Sequence, residues 1–161
     1  MDSSRAGTAG QGKALRDAEI TQVAIVVRDA EETAKAWAEV LGIEPPRPVL
    51  TEPEDRSHTR YMGRPTPARA KLAFIKLGRV TLELIEPVGG PSTWQEFLDR
   101  HGEGVHHIAF DVSDMEGRLA SLESTGARTV QRGDFTGGRY AYVDARGTLK
   151  VILELLESTR G

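Results

Sequence analysis

The chain has 161 residues, 39% hydrophobic and 28% charged, which fits one soluble domain or two small halves sharing a core. Its net charge of -3 comes with no basic run, which argues against a nucleic-acid or polyanionic-surface partner, and no apolar stretch approaches a membrane span. There is no cysteine, so disulfides, thiolate metal sites and cysteine nucleophiles are excluded as well.

Residues 1–18 are rich in Gly, Ala, Ser and charge, read as a mobile tail, and offer no apolar core for a secretory signal. A cytoplasmic location is the resulting expectation. "ITQVAIVV" at 20–27 has the β-branched alternation of a strand. Asp29 then caps a helix whose apolar face is expected to be Ala34, Trp37, Val40 and Leu41, stopped by Gly42. The stretch from 44 to 70 carries six prolines and little periodicity. It predicts a long excursion of the kind that covers a site, with a short edge strand at 48–50 or 59–62. "KLAFIKLG" and "RVTLELIEP" form a hairpin turning at Gly78-Arg79. A short helix follows, capped by Ser92 or Thr93 and ending near Gly102.

After that helix the pattern restarts. "GVHHIAFDV" predicts a strand, "SDMEGRLASLESTGA" a helix, and "RTVQRGDF", "GRYAYVDA" and "LKVILELLE" three more strands. "QVAIVVRDAEE" at 22–32 aligns with "HIAFDVSDMEG" at 107–117, and each half ends in its own LEL[IL]E. The chain is thus an α+β protein made of two βαβββ modules, at 19–90 and 104–158, joined by a linker helix at 91–103. Neither module is large enough to bury a core alone.

Side chains alternate along a strand. Glu86 and Glu157 end their strands, where water reaches them cheaply. Glu83 and Glu154 lie mid-strand and need partners, because an unpaired buried carboxylate costs several kcal/mol. On the opening strands, Gln22 shares a face with Ala24, and His107 shares one with Ala109; each alanine leaves room beside the polar group. His106 falls on the opposite face and reads as a strand-end histidine with some solvent access. If the halves pair about a pseudo-twofold axis, Gln22, Glu83, His107 and Glu154 can converge. One imidazole, two carboxylates and an amide oxygen suit a divalent metal such as Zn, Co, Ni or Mn. The same four residues also suit a wet, hydrogen-bonded groove.

Over residues 20–157 the sequence resembles the vicinal oxygen chelate superfamily, whose fold pairs βαβββ modules into an open, cupped mixed sheet around a metal. "VAIVVRDAEETAKAWAEVLGI", "LGRVTLELIEPVG", "FLDRHGEGVHHIAFDV" and "VILELLE" are most similar to its methylmalonyl-CoA epimerase branch, with the glyoxalase I (lactoylglutathione lyase) branch next. The resemblance implies metal ligands at Gln22, Glu83, His107 and Glu154, a small-molecule substrate (an acyl-CoA or a thiol adduct) and a homodimer. Two departures stand out. Epimerases typically carry histidine where Gln22 stands, and a Gln, Glu, His, Glu set resembles the glyoxalase I of animals. The hairpin strand "AKLAFIKLG" also lacks the non-ligand glutamate that some epimerases use there.

The implied activity is that of a metal-dependent epimerase or isomerase, with Glu83 and Glu154 as the catalytic carboxylates that remove and return a proton next to a carbonyl. A glyoxalase-like lyase and a metal-free small-molecule binder, as in bleomycin resistance, are the alternatives. Trp37 reads as core, Trp94 and Phe97 as pocket wall or packing between halves, and Tyr140 or Tyr142 as groove lining. Arg56, Arg60, Arg64 and Arg69 are candidate contacts for CoA phosphates or solvated loop charges. Asp55, His58 and His101 carry no functional argument.

Overall fold

The computed structural model of the protein describes residues 13–159. The first part of the expected tail, residues 1–12, lies outside the described residues, while Ala14, Leu15 and Ala18 pack against the core of the second module. Module one runs β1 (Ile20–Val26), α1 (Ala30–Leu41), β2 (Val49–Leu50), α2 (Glu54–Ser57), β3 (Arg60–Tyr61), β4 (Arg64–Pro65), β5 (Arg69–Leu77) and β6 (Val80–Val88). The linker helix α3 (Thr93–His101) leads to module two: β7 (Gly104–Asp111), α4 (Met115–Glu123), β8 (Arg128–Phe135), β9 (Gly138–Asp144) and β10 (Ile152–Ser158).

Local signals set the helix ends. Asp29 accepts from the Glu32 N–H at 2.9 Å, and Gly42 closes α1 in the left-handed region, which its missing Cβ permits. Ser92 and Asp114 cap α3 and α4 through the N–H groups of Gln95 and Gly117. The buried face of α1 differs from the expected one. Ala30, Ala34 and Ala38 are buried, Trp37 and Leu41 flank them, and Val40 is 81% exposed. Alanines at a spacing of four let the helix sit close on the sheet, and Val40 falls off that line.

All ten strands form one mixed sheet in the order β2-β5-β6-β1-β7-β10-β9-β8-β3-β4. Antiparallel β1 and β7 lie at its centre, flanked by parallel β6 and β10, so the pseudo-twofold passes between β1 and β7. Both expected edge strands of the excursion form, and they lie far apart: β2 pairs with β5, whereas β3 pairs with β8 of the other module. A flat sheet would separate β2 from β3 by about 38 Å. The intervening chain, with its helical turn, spans at most about 27 Å. The sheet must curl, and residues 51–68 strap its open side.

Packing follows the curl. Outside, α1 covers Ala73, Ile75, Leu82 and Leu84, and α4 covers Phe110, Ala141, Val143, Leu153 and Leu155. Inside, Trp94 joins Ala24, Val26, Ala70, Ile85, Tyr142 and Ile152. The concave face is thus apolar around a patch of mid-strand polar residues.

Candidate metal centre

Ladder register brings the site together. Ala24 is opposite Glu83 on one side and His107 on the other; Ala109 is likewise opposite Gln22 and Glu154. Directly opposed residues share a face, so all four polar side chains rise from the concave side around two fully buried alanines. Glu83, His107 and Glu154 are all buried, and one donor atom from each lies within 4.8 Å of the other two. His107 Nε2 is 2.9 Å from Glu154 Oε2 and 3.5 Å from Glu83 Oε2. Gln22 is half-buried and lines the same cavity as both glutamates.

His106 departs from its expected place. It is 2% exposed, with Nδ1 2.8 Å from His107 Nδ1 and Nε2 2.8 Å from Thr93 Oγ1. The register explains the difference: between Ala24↔His107 and Ile25↔Val105, β7 carries one extra residue, His106. Such a bulge re-aims a side chain that strict alternation would place on the far face. β1 carries its own extra residue, Thr21, at the equivalent point.

The outer glutamates of the two LEL[IL]E motifs do a different job. Glu157 accepts from the Met115 N–H at 2.8 Å and Glu86 from the Ala30 N–H at 3.5 Å, so each meets the first residue of its own module's helix. Arg139 also pairs with Glu157 at 2.6 Å.

Above the floor lies a cavity of about 340 Å³. Glu83, Glu154, Gln22, Tyr140, Tyr142 and Trp94 form its base, while Val49, Leu50, Phe74 and Phe135 give it an apolar mouth. Both tyrosines line it, and Trp94 serves as pocket wall and packing at once. The strap adds Thr51, Glu52, Ser57 and Thr59. Glu52, 3.1 Å from Arg56, is a cavity carboxylate that sequence reasoning missed; nothing in "LTEPED" separates it from its acidic neighbours. Of the loop arginines, Arg56 is thus engaged with Glu52, and Arg69 donates to the Thr51 carbonyl at 2.8 Å. Arg60 lines a separate cleft with His58, Arg132 and Arg139.

The electrostatics of the centre are unbalanced. Burial disfavours the His107 imidazolium, but Glu154 and Glu83 outweigh it and hold the ring up at about 9. Burial pushes the Glu154 carboxyl up against the pull of His107, and it drives His106 well below its usual value, so that ring is neutral. Two buried carboxyl groups face a single imidazole, so His107 alone can offset the charge of at most one carboxylate. Moreover, Glu83 Oε2, His107 Nε2 and Glu154 Oε2 have no hydrogen-bond partner, although they lie close together. Their separations are short but their alignment is not that of hydrogen bonds, as when lone pairs aim at a common point. A dication with neutral imidazole would balance both carboxylates and satisfy all three atoms. The residues fit a divalent metal.

The curled sheet of paired βαβββ modules, with a carboxylate–imidazole cluster inside, defines a vicinal oxygen chelate architecture. The chain belongs to the Glyoxalase/Bleomycin resistance protein/Dioxygenase superfamily, which matches residues 21–143. Among its relatives, the uncharacterized protein YqjC of Bacillus subtilis is 34% identical over 92 residues, covering 55% of this chain and 66% of that protein, just under two thirds of it. The ethylmalonyl-CoA/methylmalonyl-CoA epimerase of Cereibacter sphaeroides is 29% identical over 116 residues, covering 71% of this chain and 76% of that enzyme. A Streptomyces coelicolor methylmalonyl-CoA epimerase, solved with 2-nitronate-propionyl-CoA, superposes with a TM-score of 0.63 at 25% identity, covering 88% of this chain and 95% of that one.

Proposed function

We propose that the protein is a metal-dependent epimerase that removes and returns a proton on a carbon next to a carbonyl, with an acyl-CoA as substrate. The observation that carries this reading is the set of three buried, partnerless donor atoms on Glu83, His107 and Glu154. These residues would hold a cation of the Zn, Co, Ni or Mn type, with the Gln22 amide oxygen as fourth donor. Bound there, the cation supplies Lewis acidity towards the substrate's oxygens and stabilises negative charge next to the carbonyl. The relatives named as epimerases, and the CoA analogue bound by the Streptomyces enzyme, support the substrate class.

A two-base epimerisation needs a proton acceptor on one face of the carbon and a proton donor on the other. Glu83 and Glu154 converge on one point of the floor, which favours their acting from a single side. Glu52 stands on the strap and lines the same cavity, which supports it as the group acting from the second side. Glu154→Gln is expected to stop exchange of the α-proton with solvent deuterium for both epimers. Glu52→Gln is expected to stop it for one epimer and leave the other exchanging. Unchanged exchange in Glu154→Gln contradicts the reading.

A glyoxalase-like lyase is the second reading, favoured by Gln22 beside the two glutamates in the cavity. Assays of the metal-loaded protein with an acyl-CoA and with a thiol–aldehyde adduct separate the two. A metal-free binder has no use for partnerless buried donors, and a purified protein that neither contains nor takes up metal would favour it. The homodimer implied by the resemblance is part of the proposal; a monomer mass in solution would remove it.

A further inference from the structure

The two halves of the centre are unequally supported, and the difference starts in the first turn of α3. Thr93 and Trp94, consecutive and buried, each begin a chain that ends on a residue of the centre. Thr93 Oγ1 contacts His106 Nε2 at 2.8 Å, and His106 Nδ1 contacts His107 Nδ1 at 2.8 Å. For His107 to offer the Nε2 lone pair to a cation, its proton sits on Nδ1 and is given to His106 Nδ1. His106 then carries its proton on Nε2 and gives it to Thr93. Beside this chain, the Trp94 indole N–H donates to the Tyr142 hydroxyl at 3.0 Å. Tyr142 stands directly opposite Glu154 in the ladder, with its own O–H left for that carboxylate. The turn itself is fixed, since the Thr93 N–H donates to Gln131 Oε1 at 2.9 Å and Ser92 caps the helix.

Module one has no such chains. The pseudo-twofold equates His107 with Gln22, Glu154 with Glu83, the bulge residue His106 with Thr21, and Tyr142 with Phe74, which is opposite Glu83. Phe74 has no donor to give, and Thr21 Oγ1 turns to Asp111 at 3.3 Å. The fold does not require the chains; this sequence places them in one half only.

We propose that Thr93 and Trp94, acting through His106 and Tyr142, are positioning residues that fix His107 in its Nδ1–H tautomer and hold the Glu154 carboxylate, making module two the standing half of the centre that Gln22 and Glu83 complete. This rests on the reading of the cluster as a metal centre. Outer partners of this kind typically set metal affinity by about 10–100-fold.

The test is competition of the full chain against a chelator for Co(II), in wild type, Thr93→Val, Thr93→Ser and Tyr142→Phe. Thr93→Val and Tyr142→Phe are expected to weaken Co(II) binding by about 10–100-fold in protein that stays folded without metal. Thr93→Ser, which keeps the hydroxyl, is expected to retain wild-type affinity. In the Zn-loaded wild type, NMR is expected to show a slowly exchanging Nδ1 proton on His107, lost in Thr93→Val. Affinities within about twofold of wild type for both Thr93→Val and Tyr142→Phe overturn the inference, as does a serine variant as weak as the valine one. A wild type that binds no Co(II) refutes the metal centre itself, and this inference falls with it.

Discussion

Ala24 and Ala109 matter by being small. Each sits fully buried between two polar side chains, and any larger residue would fill the space in which Glu83, His107 and Glu154 approach one another. This much was legible from alternation, because a polar residue followed two places on by alanine occurs in both opening strands. Alternation alone left Gln22 undecided between ligand and groove residue, since its amide oxygen suits either. As the fourth donor, Gln22 is expected to respond in a graded way. Gln22→His should tighten Co(II) or Zn binding, because imidazole is the stronger ligand for these ions. Gln22→Ala should weaken it measurably while leaving a three-residue site. Chelator competition across the three proteins checks this, and equal affinities would remove Gln22 from the centre.

At the scale of the element, the repeated LEL[IL]E strand assigns its two glutamates to opposite faces. The inner one serves the concave centre; the outer one meets the start of its module's helix, where an anion is favoured. The Met115 N–H, and then Arg139, hold the Glu157 carboxyl below its ordinary value. A carboxyl depressed in the folded state contributes stability above its unfolded value, near 4.3, and that contribution is lost as pH falls through the folded value. Wild type is therefore expected to lose melting temperature more steeply than Glu157→Gln below about pH 4.3. Parallel pH profiles would exclude the contribution. The strands, caps and hairpin turn were readable because period-two alternation and local capping residues specify them without tertiary help. His106 was not, because a bulge breaks the alternation from which its face was inferred, and only strand pairing reveals a bulge. Val40 escaped for a related reason: helical periodicity marks apolar residues but not how closely small ones let a helix approach.

At the scale of the molecule, the twofold repeat was legible and its closure was not. The repeat predicted which strands meet at the centre, yet the proline-rich excursion gave no sign that it would cross to the other module's edge and pair with β8. That crossing depends on the curl of the assembled sheet, and with it comes Glu52, a cavity carboxylate no motif announced. The strap, the apolar mouth and the cluster have a common rationale if a dication sits on the floor. Metal binding to the folded chain alone would then add about 2.7 kcal/mol of stability at a hundredfold excess over Kd. The most direct test is the metal content of the chain after loading with Co(II) or Zn and desalting, in wild type and in His107→Ala. The account predicts one equivalent per chain in wild type, removed by chelator with a fall in melting temperature, and none retained in His107→Ala. A wild type that retains no metal, or a variant that retains as much as wild type, would contradict it.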